Sequence, residues 1–263
     1  MGKKWKNAPV MYTVAQVRFN QILTMESYVP AIQEKLRNTG FPDFRKEVIN
    51  VFGIPFSQAD SNPPSVQTVN RFAFGNIERT AGFLLESNAL SFQATDYDTF
   101  EQFNECMSGV LQIVNESISI GFIERVGIRY LDAVTPLEGE QLSDYLVPEV
   151  LGLTFKVPHK LSHTYTETVS THLEGGLISR VIIQDSKVTL PPELAQTAYP
   201  LNSRFSSYNG LHAVIDTDGY FEKRISFDPT QITKKLDELH NDIGVAFKNA
   251  ATPHALKIWE FGK

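Results

Sequence analysis

Apolar and polar residues follow two periods along this chain, and the switches between them outline its elements. From Asn7 to Phe19, Tyr12, Val14, Gln16 and Arg18 alternate with Thr13, Ala15, Val17 and Phe19, the period of two that defines a strand. A helix is expected next, with Ser27 at its N-cap, Pro30 in its first turn and a stripe of Val29, Ile32 and Leu36. Gly40 and Pro42 end it. Strand patterns follow at 47–54, 66–75, 80–86 and 89–95, with Ser87-Asn88 as a hairpin turn between the last two and a Pro-rich loop over 57–65. Asp98 and Glu101 have the spacing of a capping box for a helix whose stripe is Phe100, Phe103, Met107, Val110, Leu111 and Val114. A strand returns at 122–132, and weak helical signals follow at 139–146.

The second half is richer in strands. Residues 161–173 alternate, residues 177–184 read as a central strand, and Glu174-Gly175-Gly176 forms a turn between them. Residues 210–217 and 220–227 are expected to pair as a hairpin through Asp218-Gly219, a strong turn dipeptide. Asp228 at N-cap and Pro229 at N1 open a long helix striped with Ile232, Leu236, Leu239, Ile243 and Phe247, and Thr252-Pro253 opens a last short one. Residues 186–209 have no period and are expected to be either disordered or functional; Tyr199, Phe205 and Tyr208 tilt the reading toward an ordered lid or interface. The class expected is α+β: two antiparallel-sheet subdomains, 1–137 and 138–263, each closed by amphipathic helices on one face. The break falls where Thr135 to Gly139 interrupts the strand pattern. Strict strand–helix alternation is missing, which argues against doubly wound and barrel folds.

Composition narrows the function classes. The chain has 263 residues, 42% hydrophobic and 21% charged, as in an ordinary globular protein. No apolar run is long enough for a membrane span, and the basic N-terminus lacks the apolar run of a signal peptide. The single cysteine, Cys106, excludes an internal disulfide and fits a reducing cytoplasm; its place beside an apolar stripe reads as core rather than nucleophile. Net charge is −6 but unevenly spread: residues 1–50 hold eight Lys and Arg against four Asp and Glu, while residues 86–149 hold two against twelve. The negative balance argues against nucleic acid, although single-stranded binding on an open sheet stays an alternative, with Lys3, Lys4, Lys6, Arg45 and Lys46 as the local basic groups. The acidic block suits a basic protein partner.

Recognised catalytic motifs are missing: no Gly-rich phosphate loop, no Gly-x-Ser-x-Gly elbow, no His-Glu-x-x-His. No cofactor is specified and no metal site is expected. All six histidines lie after residue 158. On a strand, His163, Tyr165 and Glu167 share one face, and Thr164, Thr166, Thr168, Ser170 and His172 the other, with His212 in a nearby strand. Either a ligand site or a solvated Thr-rich face fits that pattern. Arg18, Arg71, Arg125, Arg129 and Arg180 sit inside strand patterns, where a guanidinium must be paired or reach solvent. Arg125 and Arg129 flank Gly127 on one face, with Val126, Ile128 and Tyr130 on the other; they could grip a phosphate or carboxylate, or pair with local acids. The candidate ligand-binding residues are Arg18, Arg125, Arg129, His163, His172 and His212.

Asn7-Ala8-Pro9-Val10 with Val17-Arg18-Phe19, the stretch Arg125 to Tyr130, and Leu239-His240 followed by Phe247 and Trp259 resemble a sporadically distributed family of uncharacterised prokaryotic proteins of similar length. The resemblance implies no activity and no catalytic position. That family's patchy distribution implies accessory genes, of the phage-defence or toxin–antitoxin kind. The function expected is therefore a non-catalytic binding or interaction protein, an accessory or sensor subunit, with a protein partner or a second copy of itself. The alternative is a small enzyme acting on a phosphorylated or nucleotide-like substrate.

Overall fold

A computed structural model describes residues 5–52, 66–195 and 198–262. Lys3, Lys4 and the expected loop over 57–65 lie outside the described residues. The described residues fold around one nine-stranded antiparallel sheet in the order β2-β3-β4-β5-β1-β6-β9-β8-β7. Its strands are β1 (Val10–Phe19), β2 (Asp43–Phe52), β3 (Val66–Gly75), β4 (Ala81–Glu86), β5 (Ala89–Ala94), β6 (Phe122–Val134), β7 (His163–His172), β8 (Gly175–Lys187) and β9 (Asn209–Ser226). The helices are α1 (Met25–Arg37), α2 (Phe100–Ile118), α3 (Leu142–Tyr145), α4 (Pro148–Leu151), α5 (Pro192–Ala195), α6 (Ser203–Ser206), α7 (Pro229–Ala250) and α8 (Pro253–Phe261).

Two expectations are corrected. The described residues form one sheet rather than two: β6 pairs with β1 on one side and β9 on the other, so the break after residue 137 does not divide the sheet. Nor is there a hairpin at Asp218-Gly219, which lies inside the continuous 18-residue strand β9. Flanking ladders to β6 and β8 pair both residues, and Gly219 is packed under Ile243 and Leu239, where an added Cβ would lie 3.3 Å from Ile243 Cδ1. Long-range pairing and burial override the local turn preference. Smaller shifts occur at helix starts. Thr24, not Ser27, is the N-cap position of α1, and Thr99, not Asp98, caps α2. Asp228 does cap α7, accepting from Thr230 N and Gln231 N, and Thr252 caps α8.

Different parts of the chain pack on the two sheet faces, and β7 is left largely exposed. On one face, the alternating residues Ala15, Val17, Phe19, Val126 and Ile128 meet the apolar stripes of α1, α2 and α7 in the main core. A second cluster on that face joins Val134, Val181, Ile183, Ala213 and Ile215 to α3, α4 and α8. The other face is crossed by residues 188–195 and 198–208. Val188 and Phe205 pack with Met11, Tyr12, Leu131 and Val214. Tyr199 reaches across to β3 and β4, where Gly75 and Gly82 oppose one another; an added Cβ would stand 2.5 and 2.2 Å from its hydroxyl. The described parts of the aperiodic stretch thus pack on this face of the sheet.

Candidate functional site

On the helical face, a polar layer lies along the boundary between the two apolar clusters. Thr13, Tyr130 and Thr217 are directly opposed across β1, β6 and β9. Both threonines are fully buried, and neither Oγ1 has a hydrogen-bond partner among the described residues. Two positions along β6, on the same face, stands Asp132, 7% exposed. Above this layer is a cavity of about 640 Å³, within the range of ligand pockets.

Four parts of the chain build it. Trp5 to Val10 enters along one side, held by Asn7 N donating to Trp259 O and Ala133 N donating to Pro9 O. Residues 97–101 lead into α2 and contribute Tyr97, Asp98, Phe100 and Glu101. Strand β6 supplies Tyr130 and Asp132, and α7 supplies Asp237, His240, Phe247 and Lys248. The His240 ring stacks on Phe100 with centroids 4.1 Å apart and planes nearly parallel. Its Nδ1 is 3.0 Å from the Tyr130 hydroxyl, which is 3.3 Å from that of Tyr97. Trp5 packs on Phe247, centroids 6.0 Å apart.

The electrostatics of the pocket are acidic. Asp98, Glu101, Asp132 and Asp237 line it, with Lys248 as the cation. Asp132 accepts no hydrogen bond from the described residues. Burial, with Asp216 behind it, pushes its carboxyl up to about 8, so near neutral pH it is mostly protonated. Burial holds His240 below the ordinary imidazole value and raises both Tyr97 and Tyr130, so the ring pair presents a neutral imidazole and neutral phenols. A carboxylic acid without a partner, in a pocket walled by aromatic rings, is suited to receive a cation. The cation would supply the charge that its ionised form lacks, and the rings would contribute cation–π attraction.

The residues singled out from sequence do not form one pocket. Arg18, Arg125, Arg129, His163 and His212 share the opposite face of the sheet, in register, while His172 alternates to the helical face at the exposed end of β7. Along β9, the position opposite Arg125 and His212 are separated by ten residues, about 33 Å of strand. Arg129 is a structural cation. Its Nε and Nη2 each lie 2.7 Å from the buried carboxylate of Asp216, and Nη2 also contacts Glu193 of α5 at 3.1 Å. Arg180 adds to the network through Asp216 and Glu167. His212 is enclosed, with Nδ1 2.9 Å from Gly210 O, and burial lowers its pKa. His163 is exposed at the sheet edge. Cys106 is partly buried in the core, its thiol pushed up to about 11 by desolvation. No cluster of three or more His, Cys, Asp or Glu placed to hold a metal ion occurs among the described residues.

Sequence reading missed Asp132, Tyr97 and the role of His240. Asp132 was visible as a charge inside a strand pattern, but β6 gave no sign that its face would be buried without a cation. The fold and site define a single-sheet α+β protein with an acidic, aromatic-walled pocket on its helical face. Among the described residues, no helix is long and apolar enough to cross a membrane. No family model and no curated protein matches the chain.

Proposed function

We propose that this is a non-catalytic binding protein whose pocket takes the cationic side chain of a partner protein. The observation that carries the reading is Asp132: a carboxyl 7% exposed, facing the cavity, with no donor among the described residues. An arginine or lysine head group entering the pocket gives it a partner, while Tyr97, Phe100 and Trp5 receive the aliphatic stem. Asp98, Glu101 and Asp132 all belong to the acidic block 86–149, whose charge steers a basic partner toward this face. The place of the protein as an accessory or sensor subunit rests on the family resemblance.

The enzyme alternative needs anion-binding arginines beside acid–base groups. Here His163 and His212 share the face of Arg18, Arg125 and Arg129, but His212 lies about 33 Å along the sheet from the position opposite Arg125, Arg129 is held by Asp216, and His172 is on the other face. One substrate cannot reach both sets, and this favours the binding reading.

The test uses short acetylated peptides with a central arginine or its neutral isostere citrulline, followed by tryptophan fluorescence, since Trp5 lines the pocket and Trp259 is buried. Saturable quenching by the arginine peptide, at least about tenfold tighter than with citrulline, is expected. Equal binding of the two peptides, or no binding of either, overturns the proposal.

A further inference from the structure

On the other face of the sheet, we infer a second site, in which Arg18 and Arg125 cradle a phosphate group. The two residues are direct Cα partners across the central strands β1 and β6. Like charges directly opposed across a ladder repel, so the pair costs stability unless something anionic lies between them. The other strand arginines on this face have such compensation. Arg129 and Arg180 share Asp216, and Arg71 lies 2.8 Å from Glu86. Arg18 makes no ion pair among the described residues, whereas Arg125 has Glu222 as its β9 partner and lies 3.9 Å from Asp218, so the uncompensated charge of the pair is that of Arg18.

The backbone around the pair is irregular in a way that suits a site. The β1–β6 register shifts between Arg18 and Phe19, and the β6–β9 register shifts between Ile123 and Arg125. Bulges of this kind re-aim side chains and gather beside functional sites. Small neighbours leave room. Ala89 is the β5 partner of Arg18, and Gly127 lies beneath the Arg125 guanidinium, where an added Cβ would come within 2.8 Å of Nη1. The guanidinium also faces the Tyr220 ring at 5.5 Å, which fixes its plane. The resulting depression, about 290 Å³, is lined by Arg18, Arg125, Lys223 and Arg224 with Glu124 and Glu222. Arg224 is 2.5 Å from Glu124, and Lys223 is paired with Glu174 at its margin. Two forked guanidinium groups, one of them without an acidic partner among the described residues, offer the donors that the oxygens of a phosphate group accept.

The probe is inorganic phosphate, titrated calorimetrically and by thermal denaturation at constant ionic strength set with chloride. Saturable binding to one site is expected, with a rise in Tm that chloride does not reproduce. Arg18→Gln and Arg125→Gln should each weaken phosphate at least about tenfold. Arg71→Gln, three strands along the sheet from Arg18 and already paired with Glu86, should leave it unchanged. Without phosphate, Arg18→Gln should have the same Tm as the parent or a higher one, because it relieves the opposed charges; this readout holds even where phosphate binding is weak. Phosphate stabilisation that persists in both variants or matches chloride overturns the site, as does a Tm lowered by Arg18→Gln. Asp132→Asn should bind phosphate normally, so failure here and failure of the cation pocket are separable.

Discussion

Replacing Asp132 by Asn should flatten one component of the pH dependence of stability. The folded protein holds this carboxyl at about 8, against 3.8 for an unperturbed aspartate, through burial and the nearby Asp216. Between those values the folded state carries one more proton than the unfolded chain, so stability falls as pH rises, by about 1.4 kcal/mol per unit. The group is 7% exposed, and solvent screening removes little of the effect. From pH 5 to pH 8 the loss amounts to roughly 4 kcal/mol, a large share of the net stability of a domain. Asn has nearly the shape of the protonated acid and does not titrate. The variant should match its parent below about pH 4, exceed it by roughly 2 kcal/mol at pH 5, and exceed it by roughly 5 kcal/mol at pH 8. His212 and His240, whose pKa burial depresses, contribute the opposite slope below the ordinary imidazole range, but they are present in both proteins and cancel in the difference. Urea denaturation of the two proteins across this range reads that difference directly. Parallel profiles with a constant offset would refute the reasoning, because Asp132 would then titrate alike folded and unfolded.

Other substitutions test the scaffold. Arg129→Met removes the main counter-charge of Asp216, whose side chain is 1% exposed, and should cost about 3–5 kcal/mol in chemical denaturation. Gly82→Ala places a methyl against the Tyr199 hydroxyl and Phe74 O, and should destabilise by about 1–3 kcal/mol while raising proteolytic cleavage within 188–208. Thr217→Val deletes a buried hydroxyl without a partner among the described residues; thermal denaturation should find it neutral or stabilising by about 1 kcal/mol. Cys106, with its thiol raised to about 11, should react slowly with a disulfide reagent at pH 8 until denaturant is added.

Much of the local structure was legible in the sequence because it depends on local chemistry. The period of two along 125–130 placed Arg125 and Arg129 opposite Val126, Ile128 and Tyr130, and the sheet keeps that division. Asp228-Pro229 and Thr252-Pro253 marked helix starts through capping. What was not legible depends on distant partners. Asp218-Gly219 has strong turn character, yet β6 and β8 pair both residues into a straight strand. The union of the two halves in one sheet follows from β6 pairing β9, which no short-range pattern announces. The pocket shares this property. Tyr97, Tyr130, Asp132 and His240 come from three distant parts of the chain, and each has an ordinary local explanation until the fold brings them to one cavity.

The most direct test is a four-way binding cycle, measured by calorimetry, of the parent protein and Asp132→Asn against the arginine and citrulline peptides. If Asp132 receives the cation, the preference for arginine collapses in the variant, and the coupling between the two changes is at least about tenfold. If arginine and citrulline keep the same affinity ratio in both proteins, Asp132 does not meet the cation and the pocket is not its receptor.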